Sequence, residues 1–447
     1  MERTVDGQTG TAGRKSVSVR SCPLDSTAAF ALLDAFDRPR FAWASESAVT
    51  VAGGSAATIT ADGSQRFDAV RENVQLLFDR LETVPETPYE ARPRLFGGFA
   101  FTDTHRDPGD GSPWEGYPGA WFTLPAVQLT VTPSGSWLTT AAAGHASEET
   151  AKSRLELWRD RAGTVSDPAE QGTPGVLSRR YAPPLSDWQR EIAEATTKIE
   201  AGTLRKVVLA QALTTELERP VDVPGILARL EDSYPDCFRF LFEPENGGAF
   251  FGATPERLVS VRGETVETEA LAGSIGRGET TEEDEWLATQ LLESEKNNHE
   301  HDIVVDTIRE QLEPLTSAVE TGERTIRKLA NVQHLQTPIH ATLSKDRHVL
   351  DLVEALHPTP AVGGLPPELA LQTISETEVF DRGWYAAPVG WIDADGNGTF
   401  AVAIRSALAR EKTATLFAGA GIVADSDPDE EWDELQLKYR PILDELT

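Results

Sequence analysis

The chain has 447 residues, and 72 Asp and Glu against 41 Lys and Arg give it a formal net charge of −31. So negative a surface repels phosphate backbones and anionic lipids, which argues against nucleic-acid and membrane partners. Two cysteines cannot form a disulfide framework. The first 20 residues lack the apolar segment of a secretory signal, and no apolar run reaches the roughly 18 residues of a membrane span. We therefore expect a cytoplasmic protein.

Lysine is scarce in this chain. It supplies nine of the 41 basic residues, and there is a single methionine. Together with the excess of carboxylates, this composition indicates a halophilic-type acidic surface. If lysines have been lost from the surface in this way, a lysine that is kept inside an apolar segment is more expected to have a role.

The first part of the chain is mixed in character. Residues 1–16 are polar and rich in Gly and Thr, which predicts a disordered tail. We predict a helix over 66–81, a β-hairpin over 121–141 and a helix over 148–161. Residues 163–175 collect Gly, Pro, Thr, Ser and Asp and mark a boundary. The predicted organisation is a tail (1–16), an N-terminal region (17–175) and a second region (176–447).

The second region has clearer element signals. A helix is predicted from Ser186 or Asp187 to Gly202, followed by strands over 206–214, 249–261 with an interruption at Pro255, and 265–272. A long helix follows over 280–312, then adjacent strands over 398–409 and 413–423, and a final helix that begins at Asp427 and Pro428. Strands and helices alternate without a regular rhythm, which predicts an α+β fold with large antiparallel sheets.

Two helices carry polar groups that could do chemistry. Glu300 lies at the head of an apolar stripe, so it is predicted to be a buried carboxylate, in an internal ion pair, in a helix-end cap or in a site. Glu431, Glu434 and Lys438 share one face of the last helix. They could bind a divalent cation and an anionic ligand, or they could form a solvated acidic face.

Two cations stand in apolar strands. Lys206 opens a predicted strand, where it could abstract a proton or simply extend its head group into water. Arg405 needs a carboxylate partner if it is buried. The glycine turns at 273–274 and 419–421 could let backbone N–H groups approach an anion, or could be ordinary tight turns. Composition and spacing alone therefore indicate an acidic, soluble α+β enzyme that could bind Mg²⁺ and a small anion, with the structural alternatives still open.

Eight sequence strings, read together, resemble the chorismate-utilising enzyme family. They lie in order over 181–447 and are Lys206–Ala210, Gly252–Leu258, Glu269–Ser274, His299–Asp302, His357–Gly364, Arg382–Tyr385, Ala401–Ser406 and Gly419–Val423. The N-terminal part is only weakly similar, chiefly at Phe96–Phe101. The resemblance implies the chorismate-binding fold of anthranilate synthase component I, with large antiparallel sheets in a sandwich-like core wrapped by helices.

The strings are most similar to those of members that convert chorismate to isochorismate. This resemblance implies that Lys206 is the general base that activates water to attack C2, and that Glu256 is the general acid that protonates the departing C4 hydroxyl. It implies Mg²⁺ as the cofactor, with Glu300 and Glu434 as ligands and Glu431 in the outer shell. The implied substrate-binding residues are Gly273, Ser274, His334, Arg405, Gly419, Gly421 and Lys438.

Comparison with other branches of the family favours water as the nucleophile. Members that use ammonia typically carry Gln at the position of Lys206, and one covalent type carries a nucleophilic Lys at the position of Ala272. We therefore expect no glutaminase subunit. The resemblance also implies a monomer, because members of the family are often monomers. Asn297 departs from the pattern, because relatives often have an acidic residue there.

Three questions stay open at this point. Members that go on to eliminate pyruvate and form salicylate share the same base and acid, so they are the alternative enzyme. A chorismate-binding protein without turnover is the alternative of another class. Menaquinone synthesis is the preferred pathway, with siderophore synthesis as the alternative.

Overall fold

The computed structural model describes residues 16–25, 29–82, 88–105, 112–163 and 172–447, so the predicted tail lies almost entirely outside the described residues. The strands are β1 (Val17–Leu24), β2 (Arg40–Ser45), β3 (Ala48–Ala61), β4 (Leu81–Glu82), β5 (Leu95–Phe99), β6 (Ala120–Thr132), β7 (Gly135–Ala143), β8 (Val176–Ala182), β9 (Lys206–Leu217), β10 (Phe238–Glu243), β11 (Ala249–Thr254), β12 (Arg257–Arg262), β13 (Thr265–Gly276), β14 (Thr316–Thr321), β15 (Thr325–Lys328), β16 (Val332–Leu343), β17 (Gly364–Leu365), β18 (Pro388–Ile392), β19 (Gly398–Val402), β20 (Ser406–Arg410) and β21 (Thr413–Ile422). The helices are α1 (Arg66–Phe78), α2 (Ser147–Ala162), α3 (Leu185–Glu200), α4 (Val223–Ser233), α5 (Thr281–Glu293), α6 (Glu295–Leu312), α7 (Val349–Leu356), α8 (Pro367–Thr377) and α9 (Pro428–Leu446).

The strands form one large, branched antiparallel sheet, which confirms the predicted α+β class. Among the described strands the single parallel pairing is β1 with β4. The sheet branches at β6. A first arm runs β6-β3-β2-β10-β11-β20-β21-β9-β8. A second arm runs β6-β5-β18-β19-β12-β13-β16.

The two arms pack against each other and share one hydrophobic core. The ring of Phe41, on β2 of the first arm, lies 6.0 Å from that of Phe96, on β5 of the second. Both rings are fully buried. Strands from before and after the 163–175 segment pair with each other, as β2 does with β10 and β5 with β18. The N-terminal region is therefore built into the same core as the second region.

The chain crosses between the arms at two neighbouring points. Pro255 and Glu256 connect β11 of the first arm to β12 of the second, as the predicted interruption at Pro255 anticipates. The second crossing joins β19 to β20 and contains Arg405. The two crossings are hydrogen-bonded, because Val402 N–H donates to the Glu256 carbonyl (3.0 Å) and Ala253 N–H donates to the Arg405 carbonyl (3.1 Å).

The sequence-based prediction of a single strand over 398–409 is wrong at Arg405. This residue has φ +53°, which a continuous strand does not allow, so the strand ends at Val402 and a new one begins at Ser406. The predicted helix over 280–312 is also divided. Ser294 has an extended backbone between α5 and α6, and its hydroxyl accepts from Asn297 N–H at the start of α6.

The elements that carry the candidate residues otherwise begin and end close to their predicted positions. Gly202, with φ +76°, follows α3, and β9 then begins at Lys206. Asp427 caps α9 by accepting from the N–H groups of Asp429 and Glu430, with Pro428 in the first turn. Of the helices in the described ranges, none combines the length and apolar character needed to cross a bilayer.

Candidate active site

A cavity of about 500 Å³ opens where the two arms meet α6 and α9. Its walls come from β9 and β21 of the first arm, β13 and β16 of the second, and both crossings. All twelve site residues predicted from the sequence line it, namely Lys206, Glu256, Gly273, Ser274, Glu300, His334, Arg405, Gly419, Gly421, Glu431, Glu434 and Lys438. Residues up to 232 positions apart in the chain therefore meet in one place, since Lys206 and Lys438 both line the cavity.

Lys206 and Glu300 form an ion pair inside the cavity. The Lys206 Nζ donates to Glu300 Oε1 at 2.7 Å, and the lysine side chain is 4% exposed. Lys206 enters the site because it is the first residue of β9, whereas Glu300 projects from α6 above the buried Val304. Glu300 therefore fulfils both predictions, because it forms an internal ion pair and also lines the cavity.

Glu256 is a buried carboxyl group at the first crossing. Burial, reinforced by the negative charge of Glu269, raises the pKa of Glu256 to about 7 in spite of the opposing charges of Lys206 and Lys438. The Thr359 hydroxyl lies at hydrogen-bonding distance from it, with Oγ1 to Oε1 at 3.5 Å. Glu256 can thus carry a proton near neutral pH and release it to a bound molecule.

Arg405 is a buried cation with unused donor capacity. The residue is 5% exposed, and its Nη1 has no hydrogen-bond partner among the described residues. Burial lowers the pKa of Arg405, although the charge of Glu434 opposes this shift. A buried guanidinium nitrogen without a partner is costly, and a bound carboxylate would satisfy it. The positive φ at this crossing is what turns the residue out of the strand.

The polar face of α9 borders the cavity instead of facing bulk water. Lys438 Nζ donates to Glu434 (2.8 Å) and to the Gly419 carbonyl (2.6 Å). Burial would raise the pKa of Glu434, but the charges of Lys438 and Arg405 outweigh burial and hold it below its ordinary value. Glu431 is 8% exposed, and burial together with the charge of Glu434 raises its pKa. The alternative of a solvated acidic face is therefore wrong for Glu431.

The turn at Gly273 and Ser274 forms part of the opposite wall. Gly273 has φ +74° and lies at a β-bulge between β13 and β16. Ser274 Oγ lies 2.9 Å from His334 Nδ1, while the buried His334 Nε2 has no partner among the described residues. Burial and the charges of Arg405 and Lys438 hold the pKa of His334 well below its ordinary value. His334 is thus a neutral ring with a free nitrogen in the cavity wall.

The string His299-Glu300-His301 resembles part of a zinc motif, but its two histidines do not share a face with Glu300 and do not form a zinc site with it. His301 is fully buried on the other side of α6, where Nε2 lies 2.8 Å from Thr337 Oγ1 and Nδ1 lies 3.3 Å from the Ala272 carbonyl. In the part of the chain that the structure describes, no three His, Cys, Asp or Glu side chains converge in a ready-made metal cluster.

Gly419 and Gly421 leave the space that the site groups occupy. A Cβ on Gly421 would lie 3.0 Å from Lys206 Cε and 3.4 Å from Glu300 Oε1. A Cβ on Gly419 would lie 3.2 Å from the Tyr385 hydroxyl. A side chain at either position would therefore crowd a group of the site, independently of the backbone conformation.

We expect Gly421→Ala to reduce kcat/KM by about tenfold, because displacing Lys206 costs on the order of 1.4 kcal/mol of transition-state stabilisation. Steady-state kinetics with chorismate, the substrate that the family resemblance implies, measures the loss. Gly276→Ala is the matched control, since a Cβ there would meet nothing closer than Leu437 Cδ1 at 4.0 Å although Gly276 also lines the cavity. Equal kinetics for the two variants would show that the space at Gly421 does not matter.

Several cavity residues carried no specific role in the sequence-based prediction. Tyr385 is buried in the wall, and Thr359 contacts Glu256. Both lie in sequence strings that carry the family resemblance, and this was the only sequence feature that could have identified them. Neither has a charge or a spacing that indicates a site by itself. Asn297, expected as a departure from the family pattern, also lines the cavity.

Comparison with known proteins assigns the chain to a family. The family model described as chorismate binding enzyme matches residues 5–447, so the chain belongs to the chorismate-binding enzymes. It is 38% identical over 421 residues to the isochorismate synthase MenF of Bacillus subtilis, which covers 91% of this chain and 88% of that protein. It is 36% identical over 439 residues to the salicylate biosynthesis isochorismate synthase of Pseudomonas aeruginosa, covering 95% and 88%.

Solved structures agree with this assignment. The menaquinone-specific isochorismate synthase MenF from Escherichia coli superposes with a TM-score of 0.81 at 26% identity, over 98% of this chain and 97% of that one. Anthranilate synthase component I from Streptococcus pneumoniae shares the fold, with a TM-score of 0.69 at 21% identity. The fold expected from the resemblance is thereby confirmed.

Proposed function

We propose that the protein is an isochorismate synthase, which converts chorismate to isochorismate by water attack at C2 and loss of the C4 hydroxyl. The observation that carries the proposal is the convergence of Lys206, Glu256 and Arg405 on one cavity, together with Lys438. Chorismate is a dianion, and a protein of net charge −31 must concentrate cations to hold it. In this cavity Arg405 and Lys438 supply that positive charge.

Lys206 and Glu256 have the side-chain types that the reaction needs. Lys206 takes a proton from water as the water oxygen bonds to C2. The ring double bond shifts, the C4–O bond breaks, and Glu256 gives its proton to the departing hydroxyl, which leaves as water. A pKa of about 7 leaves Glu256 substantially protonated at neutral pH, as a general acid requires.

Two cations, Arg405 and Lys438, orient the substrate. Arg405 offers its unpartnered Nη1 to the enolpyruvyl carboxylate, and Lys438 adds a second charge from α9. Backbone N–H groups near Gly419 and Gly421 assist. Holding both carboxylates fixes the ring between the base and the acid, which lowers the entropic part of the barrier.

The carboxylates of the cavity fit a magnesium ion. The buried Glu431 and the partly exposed Glu434 lie close together on α9, so the two carboxylates form a local excess of negative charge; burial, reinforced by the charge of Glu434, raises the pKa of Glu431. A hard divalent cation bound by carboxylate oxygens relieves such an excess. We assign Glu300 and Glu434 as ligands and Glu431 as an outer partner. When bound, the ion supplies a positive charge that holds the ring carboxylate.

We expect Glu434→Gln to raise the Mg²⁺ concentration for half-maximal activity by at least about tenfold, because a charged ligand oxygen is lost. Activity titrations with Mg²⁺, and calorimetric titrations with Mn²⁺ in the absence of substrate, measure it by two independent signals. Asp433→Asn is the control, since this exposed neighbour also lines the cavity. If both titrations are the same for Glu434→Gln and the wild type, Glu434 is not a ligand.

A product assay tests the function. The protein is incubated with chorismate and Mg²⁺ in high salt, with and without ammonium, and the products are separated by chromatography. We expect isochorismate in reversible balance with chorismate, unaffected by ammonium. Salicylate and pyruvate formed by the enzyme alone would indicate a salicylate synthase instead, and binding without turnover would indicate a non-catalytic chorismate-binding protein.

We further infer that the protein acts as a cytoplasmic monomer without a glutaminase subunit. The reaction needs water and no ammonia, and the relatives above are themselves named as isochorismate synthases. We infer menaquinone synthesis as the pathway, because the Escherichia coli neighbour is described as menaquinone-specific. Deletion of the gene should then give a strain that requires menaquinone and not an iron chelator.

A further inference from the structure

Glu269 is a charged residue on β13 to which the sequence comparison assigned no role. Its side chain is 10% exposed and is held by the Arg327 guanidinium at 3.2 Å and by the amide of Gln336. It lies outside the set of residues that line the cavity. One of its oxygens nevertheless reaches the first crossing, where Oε1 accepts the backbone N–H of Arg257 at 3.2 Å.

That hydrogen bond acts on the segment that carries Glu256. Glu256 N–H donates to Thr254 Oγ1 (3.2 Å), and its carbonyl accepts from Val402 N–H (3.0 Å). The hydrogen bond from Arg257 N–H to Glu269 is the third one to the backbone of this segment, and it fixes the peptide group that follows Glu256. The backbone of the proposed general acid is thus held on both sides, and on one side by a carboxylate.

We propose that Glu269 is a positioning residue for Glu256: it anchors the crossing through Arg257 N–H and places a negative charge beside the acid that keeps it protonated at neutral pH. The proposal rests on the proposed function. It uses the carboxylate of Glu269, which pairs with the Arg327 guanidinium at 3.2 Å.

The charges that face Glu256 come from several elements. Lys206 on β9 and Lys438 on α9 favour the ionised form, and the Thr359 hydroxyl does so by hydrogen bonding. Burial is the largest opposing effect, and Glu269 on β13 is the next. Tyr385, with its pKa raised by burial, is a neutral neighbour. Removing the charge of Glu269 therefore lowers the pKa of Glu256, so the protonated form is lost at a lower pH.

Glu269→Gln tests the proposal, because the amide oxygen can still accept from Arg257 N–H while the charge is gone. The measured quantity is the ratio of kcat/KM for the variant to that of the wild type between pH 5 and pH 8. A fall of about one unit in the pKa of Glu256 makes this ratio drop from near 1 at pH 5 to roughly 0.1 at pH 8. The ratio does not depend on the pKa of the base.

Two further variants separate charge from structure. Glu269→Asp keeps the charge, so its ratio should not vary with pH even if it is below 1. Glu267→Gln removes a charge from the same strand, where Glu267 pairs with the Arg257 side chain at 2.6 Å and is 45% exposed, and its ratio should stay near 1. Thermal unfolding in the same buffers establishes that each variant is folded.

The outcomes are distinct. A ratio for Glu269→Gln that is constant across the pH range would overturn the electrostatic role, whether the constant is 1 or lower. A pH-dependent fall shared by Glu269→Asp would also overturn it, since charge would not be the cause. If the wild type forms no isochorismate, the proposed function fails first; if it does form isochorismate and the ratio is constant, only the role of Glu269 fails.

Discussion

Replacing Lys206 with Met is expected to lower kcat for isochorismate formation by about 10²- to 10⁴-fold, the usual contribution of a positioned general base. Met keeps most of the side-chain volume of the buried lysine, so the loss reports the missing amine and not a cavity. Chorismate should still raise the temperature of thermal unfolding, because Arg405 and Lys438 remain in place. Steady-state kinetics and thermal shift with chorismate measure the two effects separately.

Lys198→Met is the matched control for this variant. Lys198 lies on α3, the helix that precedes β9. Its side chain is at the surface, where it pairs with Glu376 at 3.7 Å. Its replacement should change neither kcat nor the chorismate-dependent shift. Turnover of Lys206→Met close to that of the wild type would mean that the base is another group.

Glu256→Gln is expected to produce a loss of similar size, about 10²- to 10⁴-fold in kcat, because the amide cannot protonate the departing hydroxyl. The amide is close in shape to the carboxyl group and can keep the contact with Thr359. KM for chorismate should therefore change much less than kcat. Kinetics at pH 6 and pH 8 should both show the loss, since Gln does not titrate.

The control for this variant is Glu191→Gln. Glu191 is also buried, and burial raises its pKa to about 7 as well, but it lies on α3 and does not line the cavity. Its replacement should leave kcat unchanged. If the two variants behave alike, the elevated pKa of Glu256 reflects burial only and carries no catalytic role.

Local patterns predicted the parts of the site that lie within single elements. The stripe at Glu300 predicted a carboxylate at the edge of the core, and the spacing of Glu431, Glu434 and Lys438 placed them on one face of α9. Both expectations agree with the structure, because the helical period of 3.6 residues decides which side chains share a face. The lysine at the start of β9 stood out because it directly precedes an apolar run in a chain that has few lysines.

The crossings between the arms could not be derived in this way. Whether Glu256 and Arg405 come together depends on β11 pairing with β20 and on β12 pairing with β19. The residues paired in these contacts are 137 to 160 positions apart in the chain. The break at Arg405 was missed for the same reason, since five apolar residues before it read as a continuous strand. The residues aligned through the family resemblance supplied what local periodicity could not. Neither local periodicity nor the family resemblance indicated Glu269, because it acts through a backbone N–H.

The measurement that tests the central claim most directly follows the oxygen of water. Chorismate is converted in ¹⁸O-enriched water with Mg²⁺ and high salt, the product is isolated, and its mass is determined by mass spectrometry. The account predicts isochorismate that carries one ¹⁸O, in its C2 hydroxyl, with or without ammonium. Isochorismate without the label would mean that the hydroxyl is transferred within the substrate, and an amine formed on addition of ammonium would mean that ammonia is the nucleophile; either result would contradict the role of Lys206 as the base that activates water.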